Sequence, residues 1–340
     1  MHGTLILIGG GALHHHAPHW ARAAGMKVVC TDEDARAPAR PGVDLFHALA
    51  AEDVDGHVDL ANTLSRTSSF VAAYSSSDRG LRSMAAIGEA TGHSTVSLVG
   101  VERALDGPTA HATWRKNAIP CDERMVENCL EVNGFFRDGS FQPAGIFERG
   151  SFEGNGGGVA WGWQPSSLKE NEVRPVYELL ESGARALGIE VGPVMGTVTL
   201  GEPHLLALRP RFHEDVRTAY VSPLVYGKSP LQAWFAHLLD AGGPFDEMPL
   251  APQRCAGWLA ILPEHEGTFC GIEGMDQARR LPGIAGLVCG RHPFEITDLF
   301  DERAVCGYLW AGGRSKVEVE HRLRSARAAL RVNIARTGAA

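Results

Sequence analysis

The chain lacks most of the features that settle a function directly. It has seven cysteines in 340 residues, an odd number with no Cys-x-x-Cys pair, so no disulfide framework is read from them. Most lie in apolar runs and are expected to be buried, reduced thiols. Long apolar runs are missing. The first, Leu5 to Ile8, is too short for a secretory signal or a membrane span and leads into glycines. The default expectation is a cytoplasmic protein that does not engage a membrane. Positive charge is also short: the formal net charge is −8, which gives no electrostatic footprint for nucleic acid. Arg279-Arg280 and the stretch Arg322 to Arg331 are basic, but the second reads as the solvated face of a helix. The 40 glycines are scattered without a period, and there is no internal repeat, phosphate-cradling loop with its lysine, serine-hydrolase elbow or Cys–His pair. What remains is ordinary for a soluble globular protein, 44% hydrophobic and 21% charged, long enough for two or three compact units.

Residues 1–95 alternate strand and helix signals. Thr4 to Ile8 reads as a buried strand, Gly9 to Gly11 as a turn, and His14 to Ala24 as a helix with Pro18 in its first turn. Met26 to Thr31 and Phe70 to Tyr74 read as further strands, and a helix runs to Glu89. This alternation predicts βαβ units and a parallel sheet. Two helices follow, ending at Pro120. Glu127 to Val132 and Gln142 to Glu148 read as antiparallel strands, residues 151–167 as a Gly- and Trp-rich loop, and Glu172 to Leu187 as a helix. Leu231 to Leu239 reads as a helix. From 251 to 335 the pattern is that of a separate small unit, with strands at 257–262, 287–289 and 305–310 and helices at 275–280 and 316–330.

The most informative segment is 192–215, a strand, a turn and a second strand that ends Leu208-Arg209-Pro210-Arg211 and runs into Phe212-His213-Glu214-Asp215. It resembles the strand pair that closes the active site of ATP-grasp carboxylate–amine ligases. In that family the first strand carries a Glu and the second ends in Glu-x-Asn-x-Arg. Here the matching positions are Thr197, Ala207 and Arg209, and the final Arg is kept as Arg211. The rest of the chain is similar to the same superfamily. Leu5 to Gly11, Val28 to Asp32 and the segment from Asp78 to Gly92 resemble its pre-grasp domain, and Ala104 to Pro120 resembles its Asp-Lys helix with the Gly-Ile-Pro end. The implied fold class is α/β: a Rossmann-like pre-grasp domain over 1–95, linker helices and a truncated ATP-grasp core over 96–250, and a small C-terminal α+β domain over 251–335.

The departures from the family pattern bear on chemistry. The family's lysine would fall at Gly107. Pro120 runs within a few residues into strand material, so the nucleotide-gripping subdomain reads as deleted. Magnesium takes hard oxygen ligands and leans on carboxylates, whereas positions 197, 207 and 209 offer a hydroxyl, a methyl and a cation. Phosphoryl transfer relies on positioning and on cations that neutralise developing charge. The sequence therefore argues against ATP and magnesium as cofactors.

Several residue groups are left as candidates. Arg211 can fork onto a carboxylate, or it can pair with an internal acid and hold the fold closed. His213 beside Glu214 offers a general acid or base. Ser75, Ser76 and Ser77 lie at the carboxyl end of a parallel strand, where open α/β sheets bind ligands; the alternative is that Ser77 or Asp78 caps the next helix. Trp161 and Trp163, on the Gly-rich stretch, and Arg209 complete the substrate-binding candidates. Gly9 and Gly11 fit a dinucleotide fingerprint, with Asp32 where a ribose-binding acid would stand, but His14 replaces the third glycine; a substrate-facing glycine turn fits better. His15, His16 and His19, spaced to share a helix face, are candidate ligands for a transition metal such as Zn, Fe or Ni. The plain alternative is a helix-capping or anion-binding role. Three functions stay open: an ATP-independent enzyme of specialised biosynthesis acting on an amino-acid-like or carboxylate metabolite; a non-catalytic partner subunit or small-molecule-binding pseudoenzyme; and an ATP-dependent carboxylate–amine ligase with unusual ligands. The resemblance alone implies a homodimer.

Overall fold

The structure is a computed structural model describing residues 3–11, 16–92, 95–124, 129–137, 139–150, 161–213, 216–238, 251–290, 292–299 and 304–335. The N-terminal unit is built as its alternating pattern predicts. Strand β1 (Thr4–Ile8) is buried at every position, the signature of a central parallel strand covered on both faces. Gly9 turns the chain with φ +97°, a conformation glycine adopts without strain. Helix α1 (Ala17–Ala23) starts with Pro18 in its first turn, and β2 (Lys27–Asp32) returns parallel to β1. Then come β3 (Leu45–Ala48), α2 (Val54–Leu64), β4 (Val71–Ser75) and α3 (Leu81–Thr91). The sheet order is β3-β2-β1-β4, all parallel. The carboxyl ends of its strands share one edge, where Ser75 and Asp32 lie.

Helices α4 (Leu98–Leu105) and α5 (Gly107–Lys116) lead on, and residues 117–128 alone join α5 to the next strand. That stretch is too short to hold a folded subdomain, as the sequence predicts. Strands β5 (Cys129–Arg137) and β6 (Ser140–Gly150) form a long hairpin, extended beyond the sequence reading at both strands. Then follow β7 (Trp161–Gln164), α6 (Glu170–Leu187), β8 (Gly192–Thr199) and β9 (Leu205–Arg209). Leu130 and Val132 of β5 cluster with Val176, Leu180, Ala184 and Leu187 of α6. The alternate β5 residue Phe135 joins Phe147, Phe212, Trp234 and Phe235 in a second cluster. That second face is covered by a π-helical turn over Arg217–Val221, α7 (Ser222–Tyr226) and α8 (Pro230–Leu238).

The last segment supplies β10 (Cys255–Ile261), β11 (Gly267–Glu273), α9 (Met275–Arg279), β12 (Ile284–Cys289), β13 (Phe294–Ile296), β14 (Gly307–Gly313), α10 (Lys316–Ala328) and β15 (Arg331–Ala335). The expected boundary at 250/251 is not a break in hydrogen bonding. Strands β10, β12 and β14 complete one antiparallel sheet in the order β12-β14-β10-β7-β6-β5-β8-β9. Among the described residues β11, β13 and β15 form a sheet of their own. Helix α10 packs closely on this larger sheet: a Cβ at Gly257 would come within 2.8 Å of Val319 Cγ1. Ladder and helix packing thus fuse the C-terminal segment to the central core. Among the described residues no helix is long and apolar enough to cross a membrane.

Candidate functional site

Strand register fixes the first part of the site. Thr197 pairs with Glu131 on one side and with Ala207 on the other. Directly paired residues point to the same face of a sheet, so Glu131, Thr197 and Ala207 form a row across β5, β8 and β9. The row's only carboxylate is taken. Glu131 Oε1 receives Arg149 Nη1 at 3.4 Å, and Oε2 is paired to Arg217 Nη1. Arg217 also lies over the Trp258 ring at 4.8 Å. Burial alone would raise the Glu131 carboxyl; the Arg217 charge leads the opposing effects and holds it down at about 2. It is a carboxylate at neutral pH, enclosed and neutralised by guanidinium groups.

His213 sits beside this cluster. It is 4% exposed, and its Nε2–H donates to the Gly196 carbonyl at 3.2 Å. Its backbone N–H donates to Asn133 Oδ1 at 2.8 Å. Burial lowers its imidazole to about 4, with Arg217 and Arg211 adding to the effect and Glu131 opposing it. The ring is neutral at physiological pH, committed to a main-chain acceptor, and closed off from bulk water. The expected general acid–base position is a buried one, its ring engaged with a main-chain carbonyl. Glu214, its expected neighbour, lies outside the described residues, as does His15.

Arg209 and Arg211 meet at one acid. Asp78 Oδ2 accepts from Arg209 Nε at 2.9 Å, and Oδ1 accepts from Arg211 Nε at 2.7 Å. Arg209 Nη1 also donates to the Ala104 carbonyl at 2.5 Å, and Arg211 Nη1 to the Phe212 carbonyl at 3.1 Å. Burial raises the Asp78 carboxyl, but the Arg211 charge and hydrogen bond, with those of Arg209, bring it below the ordinary value. Of the two sequence readings for Arg211, the structure takes the internal pair. Asp78 is aimed by the turn before it. Ser75 Oγ donates to the Ser77 carbonyl at 2.9 Å and accepts from the Ser77 N–H at 3.3 Å. Ser75 and Ser76 are buried. The Ser77 side chain caps nothing, and the serine turn places the acid where both arginines reach it. At the neighbouring strand end, Asp32 Oδ2 accepts the Gly10 N–H at 2.8 Å, so the candidate ribose acid braces its own glycine turn.

Trp161 and Trp163 are not in the loop expected over 151–167. They occupy β7, each 4% exposed, inside the large sheet. Trp163 pairs with Glu148 and Gly257, and Lys316 Nζ of α10 lies 3.4 Å from its ring centroid. By strand alternation these rings point to the face opposite Glu131, Arg149 and Trp258. The Gly-rich reading failed because the tryptophans follow the glycines and begin a strand; residues 151–160 lie outside the described residues.

A cleft of about 580 Å³ opens between α1, the π-helical turn, α7, β12 and β14. Tyr220 and Trp310 stack at 4.3 Å and form one wall. His16, His19 and Trp20 line it from α1, and Pro223 and Leu224 from α7. The expected helix from His14 starts only at Ala17, so His16 stands before its first turn, buried and tilted against Tyr220 at 5.6 Å. His19 is exposed and meets Trp20 edge-on. Of the three histidines expected to share a helix face, His16 and His19 line this one cleft, and His15 lies outside the described residues. Among the described residues no three His, Cys, Asp or Glu side chains converge on a metal position. This cleft was not legible in the sequence: its wall joins residues 220 and 310 through a π-helical turn, a feature without a sequence signature and one that recurs at functional sites.

The resemblance to ATP-dependent ligases implies Mg·ATP, and the residues present can be tested against it. A magnesium site needs oxygen ligands with carboxylates among them. In the row described above, two positions carry no acid and the third acid is closed by two arginines, while Arg209 adds positive charge. Among the described residues this donor set does not fit the ion, and no step is derived through it.

The comparisons agree with this architecture. Residues 259–335 match the family model for the L-amino acid ligase C-terminal domain 2. No curated protein matches the chain. Among solved structures, the chain is similar to an L-amino acid ligase from Bacillus licheniformis, with a TM-score of 0.78 and 16% identity over 98% of this chain and 99% of that one. It is also similar to N5-carboxyaminoimidazole ribonucleotide synthetase from Thermotoga maritima, with a TM-score of 0.77, 16% identity, and 98% and 100% coverage. A third similar structure is carboxyaminoimidazole ribonucleotide synthase from Aspergillus clavatus, complexed with ATP, with a TM-score of 0.71, 13% identity, and 96% and 97% coverage. The chain has the fold of the ATP-grasp carboxylate–amine ligase superfamily.

Proposed function

We propose that this chain is an ATP-grasp-fold protein that works without Mg·ATP, as a non-catalytic binding protein for a small carboxylate or amino-acid-like metabolite. One observation carries the reading. The row Glu131–Thr197–Ala207 holds a single acid, and that acid is already bonded to Arg149 and Arg217. Two further features favour binding over catalysis. Arg211 is engaged with Asp78, and His213 donates to Gly196 from a buried position, so the groups expected to act on a substrate have other work. The amino-acid-like ligand follows from the L-amino acid ligase match and the ligase fold. The cleft walled by Trp20, Tyr220 and Trp310, with the His16 and His19 imidazoles at its rim, is the seat that fits it. Aromatic walls with a few placed polar groups are the usual lining of small-molecule sites.

The test is calorimetric titration of the full chain with ATP, with and without magnesium. No magnesium-dependent binding is expected. Micromolar binding that requires magnesium, or ADP release with amino-acid acceptors, would sink the proposal and restore an ATP-dependent ligase.

A further inference from the structure

A second cleft, of about 480 Å³, adjoins the aromatic one and shares Leu224 and Ala285 with it. Its lining includes Arg254, Arg314 and Arg322, with Glu318 as the one acid, and the glycines Gly283, Gly312 and Gly313. Arg322 is accounted for: it is paired with Glu318 and donates to the Gly312 carbonyl. Gly283 makes room for it, since a Cβ there would fall 2.4 Å from the Arg322 guanidinium. Glu318 is saturated as well, because its other oxygen accepts the Arg314 N–H at 2.7 Å.

Arg254 and Arg314 are left over. Cys255 pairs with Gly313, so the two arginines stand side by side just beyond the paired ends of β10 and β14. Both line this cleft, and a Cβ at Gly312, on the same strand face as Trp310, would meet Arg254 Cδ at 3.8 Å. Both are exposed; among the described residues neither guanidinium has a hydrogen bond or a close ion pair, and the Arg314 charge acts on the nearby Glu318 carboxylate and helps to hold it low. Like charges set opposite each other across two strands are destabilising. A guanidinium pair over a glycine floor offers two planar forks, the geometry that recognises phosphate and carboxylate.

We infer that Arg254 and Arg314 form an anion seat that takes the oxyanion group of a small ligand, a phosphate or a carboxylate. This inference does not depend on how the chain treats Mg·ATP or on occupancy of the aromatic cleft. It also names where the ligand's charge goes if the two clefts are filled by one molecule, since Arg211 is already committed to Asp78.

The experiment is calorimetric titration of the full chain with sodium pyrophosphate, without divalent cations and at constant ionic strength. Saturable binding is expected, weakened at least tenfold in Arg254→Ala and in Arg314→Ala and unchanged in Arg280→Ala, an exposed arginine outside the cleft. Both sites are exposed ends of strands, so the variants are expected to fold, and circular dichroism checks this. Parallel titrations with inorganic phosphate and succinate separate the two sources: tighter phosphate assigns a phosphate ester, tighter succinate a carboxylate, and either upholds the seat. Absence of saturable binding to all three anions, or equal weakening by Arg280→Ala, would overturn it. The Mg·ATP titration reads a different site, so the two proposals fail separately.

Discussion

Asp78 receives Arg211 Nε at 2.7 Å with one carboxylate oxygen and Arg209 Nε at 2.9 Å with the other. The acid stands at the end of the parallel sheet and the arginines at the end of β9, so the three groups fasten the N-terminal unit to the central sheet. A fork used this way is structural. Asp78→Asn keeps the shape and removes the charge that both guanidinium groups share. Hydrogen bonds to charged groups contribute roughly 1.5–3 kcal/mol, and the pairs here are partly exposed, so a loss of about 2 kcal/mol is expected. Urea unfolding at pH 7 measures it. Arg211→Lys should lose less, because Arg209 still holds the acid. An unchanged midpoint in Asp78→Asn would mean the arginines do no fastening.

His213 makes stability depend on pH in a defined window. Its folded value is depressed to about 4 from an ordinary 6.5. Between those values the unfolded chain binds a proton that the folded chain refuses. Stability is therefore full above about pH 6.5 and falls as pH drops toward 4, by about 3 kcal/mol in total. Below that, Glu131, itself held at about 2, adds a further loss as it is protonated. Unfolding midpoints taken from pH 7 to 4 should slope downward with acid. The slope should flatten in His213→Gln, whose amide can still donate to the Gly196 carbonyl. An equal slope in both proteins would place the titrating group elsewhere.

Much of this fold can be read from residue order, and the reasons are local. Leu5 to Ile8 is an unbroken apolar run with glycines after it, too short for a helix and consistent with a buried strand. The strand pair within 192–209 was legible, but its register was not, because an irregularity beside Thr197 shifts the pairing from Val198–Leu205 to Thr197–Ala207. Short elements with mixed composition were not legible: β3 is an exposed edge and shows no alternation. The site divides the same way. Arg211 could be singled out, but its partner Asp78 is 133 residues away, and nothing local separates an acid that caps a helix from one that holds two arginines. Glu131 carried a signal that was missed. A lone acid inside an otherwise apolar strand is costly unless paired, and that rule points to the Arg149 and Arg217 contacts without naming them.

Trp163 and Lys316 test whether β7 belongs to the core. Trp163 is 4% exposed, and truncating a buried tryptophan costs about 3–5 kcal/mol. Trp163→Ala should show that loss in urea unfolding. Lys316→Met keeps the stem over the ring and removes a charge that also faces the buried Glu148 carboxylate at 3.9 Å, so a loss of about 1–2 kcal/mol is expected. Limited proteolysis gives a second readout: a lid residue would leave the unfolding midpoint untouched and change only local cleavage. That outcome would return Trp161 and Trp163 to a mobile loop.

The seven cysteines, all free thiols, should divide by burial when the native protein meets iodoacetamide. The thiolate is the nucleophile, and burial raises the Cys30 and Cys306 thiols to about 12 and those of Cys129 and Cys255 to about 11. These four are buried and should stay unlabelled at pH 8. Cys121 and Cys289 are half-buried with thiols raised by the same cause, and should react slowly. Cys270, on the exposed face of β11, should react first. Intact-mass spectrometry then shows one fast adduct, up to two slow ones, and all seven only in denaturant. Fast labelling of Cys129 would be the informative failure. It shares a face of β5 with Glu131 and pairs with Arg149 of β6, so its reaction would mean that the enclosure around the Glu131–Arg149–Arg217 cluster opens in solution, and that the acid now neutralised there is free to meet a ligand.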